Sequence, residues 1–272
     1  MKPIPIILVL AFIISFFPDL CAQDQKTIEK DYEQKENNWR FIISPYAWLA
    51  GQATDVGGEK LRQSFNDLAS LTNLGFQLNA QVMYKNWILT ADGTYANLGY
   101  SSEEGILQID MDIKQYMLDL RLGYLVYSKL NKESKNSVIR GWAMEVNAGA
   151  KYWGNDVTLD YTIQIGNLPP VQGNLKEPQA WWDAMLGIKA RIFLSRWVLL
   201  GLYGSGGGFG IGNSSKFSYD FAYTNTFKVS NLISITAGYR TFHYNRVDGE
   251  DENELKTEVT CFGPLIGVSF IF

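Results

Sequence analysis

The sequence predicts an all-β fold: an antiparallel transmembrane β-barrel of about ten strands, within a range of about eight to twelve, with a short helix in its first long loop. In the stretch 255–272, bulky apolar and smaller side chains alternate at period two from Glu258 onward, as in a strand whose successive Cβ atoms leave opposite faces of a sheet. Similar alternation recurs through residues 39–272, where short links alternate with longer ones. Aromatic residues concentrate near both kinds of link, as they do at the two interfaces of a membrane barrel.

The first residues predict export. Lys2 supplies a positive charge, Ile4–Phe17 form an apolar run and Ala22 is a small residue at a cleavage position, so residues 1–22 match a secretory signal peptide. A membrane-anchor helix is the alternative, although the run is short and contains proline. Lipoprotein processing at Cys21 is a weaker alternative, because a proline and an aspartate precede that cysteine.

The remainder divides into a tail and one large domain. Residues 23–38 are polar and of mixed charge, which predicts a solvated periplasmic tail, and the barrel then spans residues 39–272. Removal of the signal peptide leaves Cys261 as the single cysteine, so no internal disulfide is expected. The formal net charge of -4 and the lack of a basic run argue against nucleic acid as a partner.

The alternation delimits ten strands, an even number that places both ends of the barrel on the periplasmic side. The predicted strands are 39–49, 76–84, 87–98, 106–127, 138–153, 180–193, 197–209, 216–229, 232–245 and 255–272. Long links are predicted at 50–75, 154–179 and 246–254.

The first long link contains a helix signal. Ser64 begins a capping-box pattern, Phe65, Leu68 and Leu71 follow at helical spacing, and Gly75 is the predicted stop. We expect this helix to fold against the barrel mouth.

Two aromatic girdles are predicted from the positions of the rings. The band at the short-turn end contains Trp39, Tyr84, Trp87, Tyr124, Tyr127, Trp142, Phe193, Trp197, Phe227 and Phe272. The band at the long-loop end contains Tyr46, Trp48, Tyr95, Tyr152, Trp153, Trp181, Trp182, Tyr219 and Tyr244.

Four segments carry a resemblance to a known family: SPYAWLAG at 44–51, GGFGIG at 207–212, AGYR at 237–240 and CFGPLIGVSFIF at 261–272. Together they resemble a widespread family of small, uncharacterised Gram-negative outer-membrane β-barrel proteins, over most of residues 39–272. The sequence departs from that family where an acidic residue often precedes the glycine run, since Gly204-Ser205 stands there instead. No catalytic residue comes with the resemblance.

The signal peptide, the even number of strands and the terminal aromatic residue indicate a setting for the protein. We expect a monomer in the cell outer membrane, in contact with outer-membrane lipids and lipopolysaccharide. The aromatic Phe272 is the expected signal for the barrel assembly machinery.

If the bulky side chains face lipid, a charged set faces the lumen: Arg40, Asp92, Asp119, Arg121, Glu145, Lys151, Asp183, Lys189, Arg191 and Arg240. Barrels of this size have interiors mostly filled by side chains, so buried ion pairs that plug the lumen are the favoured interpretation. A narrow polar pore or a small ligand site is the alternative. We predict that Lys189 and Arg191 meet Asp92, Asp119, Glu145 or Asp183 across the interior, because unpaired buried charge is costly.

Catalytic and cofactor signals are weak. His243 is the single histidine, and a lipid-modifying hydrolase built on it at the outer rim is the alternative to a non-enzymatic structural or passively conducting barrel. The glycine-rich run at 204–212 has no helix after it and does not match a phosphate loop. One histidine and one cysteine do not make an ordinary zinc site, so no metal or cofactor is predicted. A calcium loop is conceivable at Asp248, Glu250, Asp251 and Glu252, although such a run is usually only solvated.

Overall fold

The computed structural model describes residues 39–104, 106–130, 139–164, 166, 169–249 and 254–272. The predicted signal peptide, the predicted periplasmic tail and three residues of the acidic loop (250–252) lie outside these ranges. The elements are β1 (Trp39–Trp48), β2 (Gly51–Val56), β3 (Glu59–Gln63), α1 (Phe65–Leu71), β4 (Thr72–Tyr84), β5 (Trp87–Glu104), β6 (Leu107–Leu130), β7 (Gly141–Ile163), β8 (Val171–Phe193), β9 (Val198–Gly207), β10 (Phe217–Lys228), β11 (Ile233–Asp248) and β12 (Leu255–Ile271).

Ten of these strands, β1 and β4 to β12, form a closed antiparallel barrel, which confirms the predicted fold class. Consecutive strands pair in chain order, and β12 pairs with β1 to close the sheet. At this seam Ile43 lies opposite Phe270, and the backbone N–H of Phe272 donates to the carbonyl of Phe41 at 2.9 Å. Closure satisfies backbone groups that an open sheet edge would leave unpaired.

The bulky apolar side chains face outward. On β1, exposed Trp39, Phe41 and Ile43 alternate with the less exposed Arg40 and Ile42. The other strands follow the same rule, so the outer wall is a band of apolar side chains and the inner wall carries the buried charges. Water would not stabilise such an outer surface, whereas the hydrocarbon of a bilayer does.

The predicted long link at 154–179 is wrong, because most of it is strand. β7 and β8 pair without interruption from Gly141 opposite Phe193 to Ile163 opposite Val171. The alternation of apolar residues weakens here because these parts of the strands have polar residues on both faces. A tilted strand crosses a bilayer with about 9–11 residues, so strands of 23 residues extend well beyond it on the long-loop side.

The first long connection contains more structure than predicted. β2 continues the wall beside the upper part of β12, and β3 returns as its hairpin partner. The predicted capping box is confirmed: the Ser64 side chain accepts from the backbone N–H of Asp67, and the Asp67 side chain accepts from that of Ser64. The predicted stop at Gly75 is wrong, since α1 ends at Leu71 and Thr72 already begins β4. No helix among the described residues is long and apolar enough to cross a membrane.

The aromatic bands are only partly as predicted. At the short-turn end, outward rings pair between neighbouring strands, as in Trp39 with Tyr84 and Trp87 with Tyr124, with centroids 4.5 and 4.9 Å apart. Phe193 instead faces inward and is buried.

Several rings of the predicted long-loop band lie inside the barrel: Tyr46, Trp48, Trp153, Trp181 and Tyr244. The reason is the period of a strand. Adjacent residues such as Trp181 and Trp182 must leave opposite faces, and their exposed fractions are 4% and 51%.

Candidate functional site in the barrel lumen

All ten charged residues predicted to face the lumen occupy inward positions on their strands. Six of them are buried: Asp92, Asp119, Glu145, Lys151, Asp183 and Arg240. The others, Arg40, Arg121, Lys189 and Arg191, are partly accessible. Some of these residues form ion pairs with one another, and others do not.

The centre of the lumen holds an ion-pair network around Asp220. This carboxylate accepts from Lys151 Nζ at 2.6 Å, and from Arg240 Nη2 and Nε at 2.6 and 3.0 Å. Arg240 Nη1 also donates to Asp92 at 3.2 Å, and Lys151 Nζ lies 3.2 Å from Asp119.

Arg121 completes the network, with Nε 3.2 Å from the Asp119 carboxylate. Three carboxylates therefore face three cations in the central network: Asp92, Asp119 and Asp220 with Arg121, Lys151 and Arg240. Equal numbers of each sign allow the group to be buried without a net charge.

Neutral side chains satisfy further lone pairs of Asp92. The Tyr46 hydroxyl donates to one oxygen at 2.9 Å, and Asn79 Nδ2 donates to the other at 2.8 Å. Arg240 Nη1 donates to the Tyr46 oxygen at 3.1 Å, so β1, β4, β5 and β11 meet at this carboxylate. Arg240 on β11 and Asp92 on β5 belong to distant strands of the sheet, so the network crosses the interior.

An aromatic layer covers the network on the long-loop side. Trp153 stacks on Phe242 with centroids 4.2 Å apart. Lys151 Nζ lies 4.7 Å from the centroid of Phe242, and the Arg240 guanidinium lies 5.1 Å from that of Trp48. These cation–π contacts join the rings to the ions beneath them.

The loop between β9 and β10 closes this layer from above. Trp181 Nε1 donates to the Ser215 hydroxyl at 3.0 Å, and the Ser215 backbone N–H donates to Asp183 at 2.7 Å. Asp183 thus meets a backbone amide rather than a cation. Arg246 lies 4.3 Å from the centroid of Trp181.

The loop needs glycine where it turns. Gly208 has φ 86°, and a Cβ there would lie 2.5 Å from the Ser215 carbonyl oxygen. The glycine run therefore forms the end of β9 and a tight turn.

The prediction for the two neighbouring cations of β8 is half right. Arg191 Nη2 donates to Glu145 at 2.7 Å. Lys189 lies directly opposite Glu145 in the strand register, yet no described carboxylate lies within 4.0 Å of its Nζ.

Asp220 and Arg246 also face the lumen, although neither was predicted to do so. The signal for Asp220 was present, since Phe217 and Phe221 face outward on β10 and Asp220 falls on the opposite set. For Arg246 the same rule applies, because it follows Arg240 at an even spacing on β11.

His243 lies on the outer face of β11, as predicted. Its Nδ1 is 2.9 Å from the Thr260 hydroxyl, and its ring stacks on Tyr219 with centroids 5.1 Å apart. These are contacts between neighbouring strands of a regular ladder. Among the described residues, no group of three or more His, Cys, Asp or Glu could hold a metal ion, and Asp248 of the acidic loop binds Arg246.

No protein-family model and no curated protein matches the chain. The chain is similar to the outer-membrane protease OmpT of Escherichia coli, with a TM-score of 0.49 and 10% identity over 86% of this chain and 97% of that one. It is similar to the attachment invasion locus protein Ail of Yersinia pestis, with a TM-score of 0.31 and 12% identity over 87% and 99% of the two chains. For the outer-membrane protein OprG of Pseudomonas aeruginosa the TM-score is 0.30 and the identity 14%, over 86% and 96%. Similarity at this level assigns no function.

Proposed function

We propose that this protein is a non-enzymatic barrel of the cell outer membrane whose lumen is plugged by its own charged and aromatic side chains. Its role is then structural, or that of a narrow passive path for water and small ions. The observation that carries this proposal is the central network, which links opposite walls and leaves Asp119, Lys151 and Asp220 almost fully buried. A wide aqueous channel would leave such side chains hydrated.

The aromatic layer supports the same function. Trp153, Trp181 and Phe242 pack against one another directly above the ions and are buried. Solutes that entered from the long-loop side would have to displace both the rings and the ion pairs. Desolvated charges separated from their partners carry a large free-energy cost, so displacement is unfavourable.

The outer wall suggests the partners. We propose that the apolar band contacts outer-membrane lipids and lipopolysaccharide, that the chain acts as a monomer, and that the barrel assembly machinery recognises Phe272. The exposed fraction of Phe272 is 69%, which leaves its ring available for such a contact.

Single-channel recording in planar bilayers tests the plug. We expect no large, stable conductance steps from the wild-type protein. Trp181→Ala removes a ring from the lumen layer and is expected to raise conductance, whereas Trp182→Ala removes the adjacent, lipid-facing ring and is the matched control. Large steps from the wild type would contradict a plugged lumen, and equal conductance in both variants would mean that the aromatic layer is not part of the plug.

A further inference from the structure

The lumen is not evenly charged along its length. On the short-turn side of the network, Lys189 and Arg191 leave the same face of β8 two residues apart, and Glu145 is the carboxylate opposite them. Arg191 binds Glu145 at 2.7 Å, while Lys189 has no described carboxylate within 4.0 Å. Of these three side chains two are cations and one is an anion, so Lys189 is left without a described carboxylate partner.

Two other hydrogen-bond donors at this level also lack an acceptor. Tyr203 on β9 lies opposite Lys189 in the register, its exposed fraction is 9%, and its hydroxyl makes no hydrogen bond within the described chain. The Arg121 guanidinium lies 4.3 Å from the centroid of the Tyr203 ring. Arg121 Nε is close to Asp119, but its N–H points away from a hydrogen-bonding geometry and is likewise undonated.

Solvent reaches Arg191 and the edge of the network at Arg121, but not the centre of the network. The side chains of Arg121 and Arg191 are 13% and 14% exposed, whereas those of Lys151 and Asp119 are 0% exposed. Lys189 is itself partly accessible, so a small solute can meet it without crossing the buried centre of the plug.

The groups around Lys189 favour a small anion as the solute. An ammonium group beside two guanidinium groups is destabilised by their repulsion and by partial loss of water. A buried O–H without an acceptor loses the energy of a hydrogen bond. A singly charged anion removes both of these costs. It balances the positive charge of Lys189 and accepts hydrogen bonds from Lys189 Nζ and from the Tyr203 hydroxyl.

We propose that the lumen binds one small monovalent anion from the medium at its short-turn end, held by the Lys189 ammonium and the Tyr203 hydroxyl. Chloride and a small carboxylate share this chemistry. The site goes beyond the proposed plug and does not depend on it, because an anion can bind below a closed network without passing through it.

Urea unfolding of the barrel in phosphatidylcholine vesicles tests the proposal. Sodium gluconate, whose anion is much bulkier than chloride or acetate, is replaced at constant ionic strength by sodium chloride in one series and by sodium acetate in the other. A ligand that binds the folded state alone raises the folded-to-unfolded ratio about tenfold when its free concentration reaches about ten times its dissociation constant. We expect this saturable rise in the wild type with at least one of the two anions, and the pair of series separates a halide site from a carboxylate site.

Variants of two lysines provide the controls. Lys189→Met and Lys189→Gln remove the charge and are expected to abolish the anion dependence, while Lys129→Met removes an exposed lysine near the same end and should keep it. A wild type that responds to neither anion, or a Lys189→Met variant that responds equally, overturns the proposal.

A crystal of the wild type soaked in bromide gives an independent measurement that needs no variant. Where unfolding of the wild type responds to chloride, anomalous density within hydrogen-bonding reach of Lys189 Nζ is expected. Absence of bromide from a protein that responds to chloride overturns the site. Neither experiment depends on conductance, so the plug and the anion site can fail separately.

Discussion

Arg240 is the side chain on which the central network depends most. It donates to Asp220 through two nitrogens, to Asp92 through a third contact, and to the Tyr46 hydroxyl. Replacement by methionine keeps much of the volume and removes the charge, so that any loss of stability reports on the ions rather than on a cavity.

The expected loss of unfolding free energy depends on which hydrogen bonds Asp220 and Asp92 keep after the substitution. Each hydrogen bond to a charged group contributes about 1.5–3 kcal/mol, so the loss of three such bonds sets an upper bound of about 9 kcal/mol. Asp220 keeps Lys151 at 2.6 Å, and Asp92 keeps Tyr46 and Asn79 at 2.9 and 2.8 Å, so part of the solvation of both carboxylates survives. We therefore expect Arg240→Met to lower the free energy of unfolding by about 3–5 kcal/mol, the range for a buried ion pair that loses one partner.

Urea unfolding in vesicles measures this difference, with two comparisons. The double variant Arg240→Met, Asp92→Asn restores equal numbers of each charge and should recover part of the loss, through a coupling of about 0.5–3 kcal/mol. Lys114→Met breaks an exposed pair, 4.0 Å from Asp112, and should change the free energy by less than about 1 kcal/mol. If Arg240→Met costs no more than Lys114→Met, the network does not stabilise the barrel and the reasoning from burial is wrong.

Three further predictions concern the rim, the seam and the first loop. His243→Ala should leave lipid A and phospholipid mass spectra unchanged from those of the wild type; an acyl chain removed by the wild type alone would instead establish the hydrolase. Phe272→Ala removes the exposed ring beside the β1–β12 seam and should lower the amount of heat-modifiable folded barrel in membrane fractions, and normal amounts would count against its role in assembly. The hydrogen bonds from the side chain and backbone of Ser64 hold the pKa of Asp67 below its usual range. The cap of α1 is therefore fully stabilising above the unfolded pKa and is lost as pH falls through the folded value. Amide exchange in α1 should accelerate there, and Ser64→Ala, which keeps the backbone donor, should weaken that pH dependence.

The period of two was sufficient to locate all ten barrel strands. A barrel strand faces hydrocarbon on one side and the lumen on the other, so each outward position such as Phe41 or Phe270 must be apolar over the bilayer. The same rule places Asp92 and Lys151 inside. It became ambiguous beyond the bilayer, where residues 154–179 continue β7 and β8 with polar side chains on both faces and resemble a loop.

The sequence by itself therefore determined the class of fold and which side chains face inward, because both follow from alternation along a single strand. Only the tertiary structure decided which of these side chains meet. Arg191 and Lys189 share one face of one strand, yet Arg191 reaches Glu145 and Lys189 does not. Likewise Asp220 meets Lys151 and Arg240 across the interior. Contacts across the lumen depend on the register of all ten antiparallel strand pairs and on the strand tilt that closure imposes. The pattern along one strand contains information on neither.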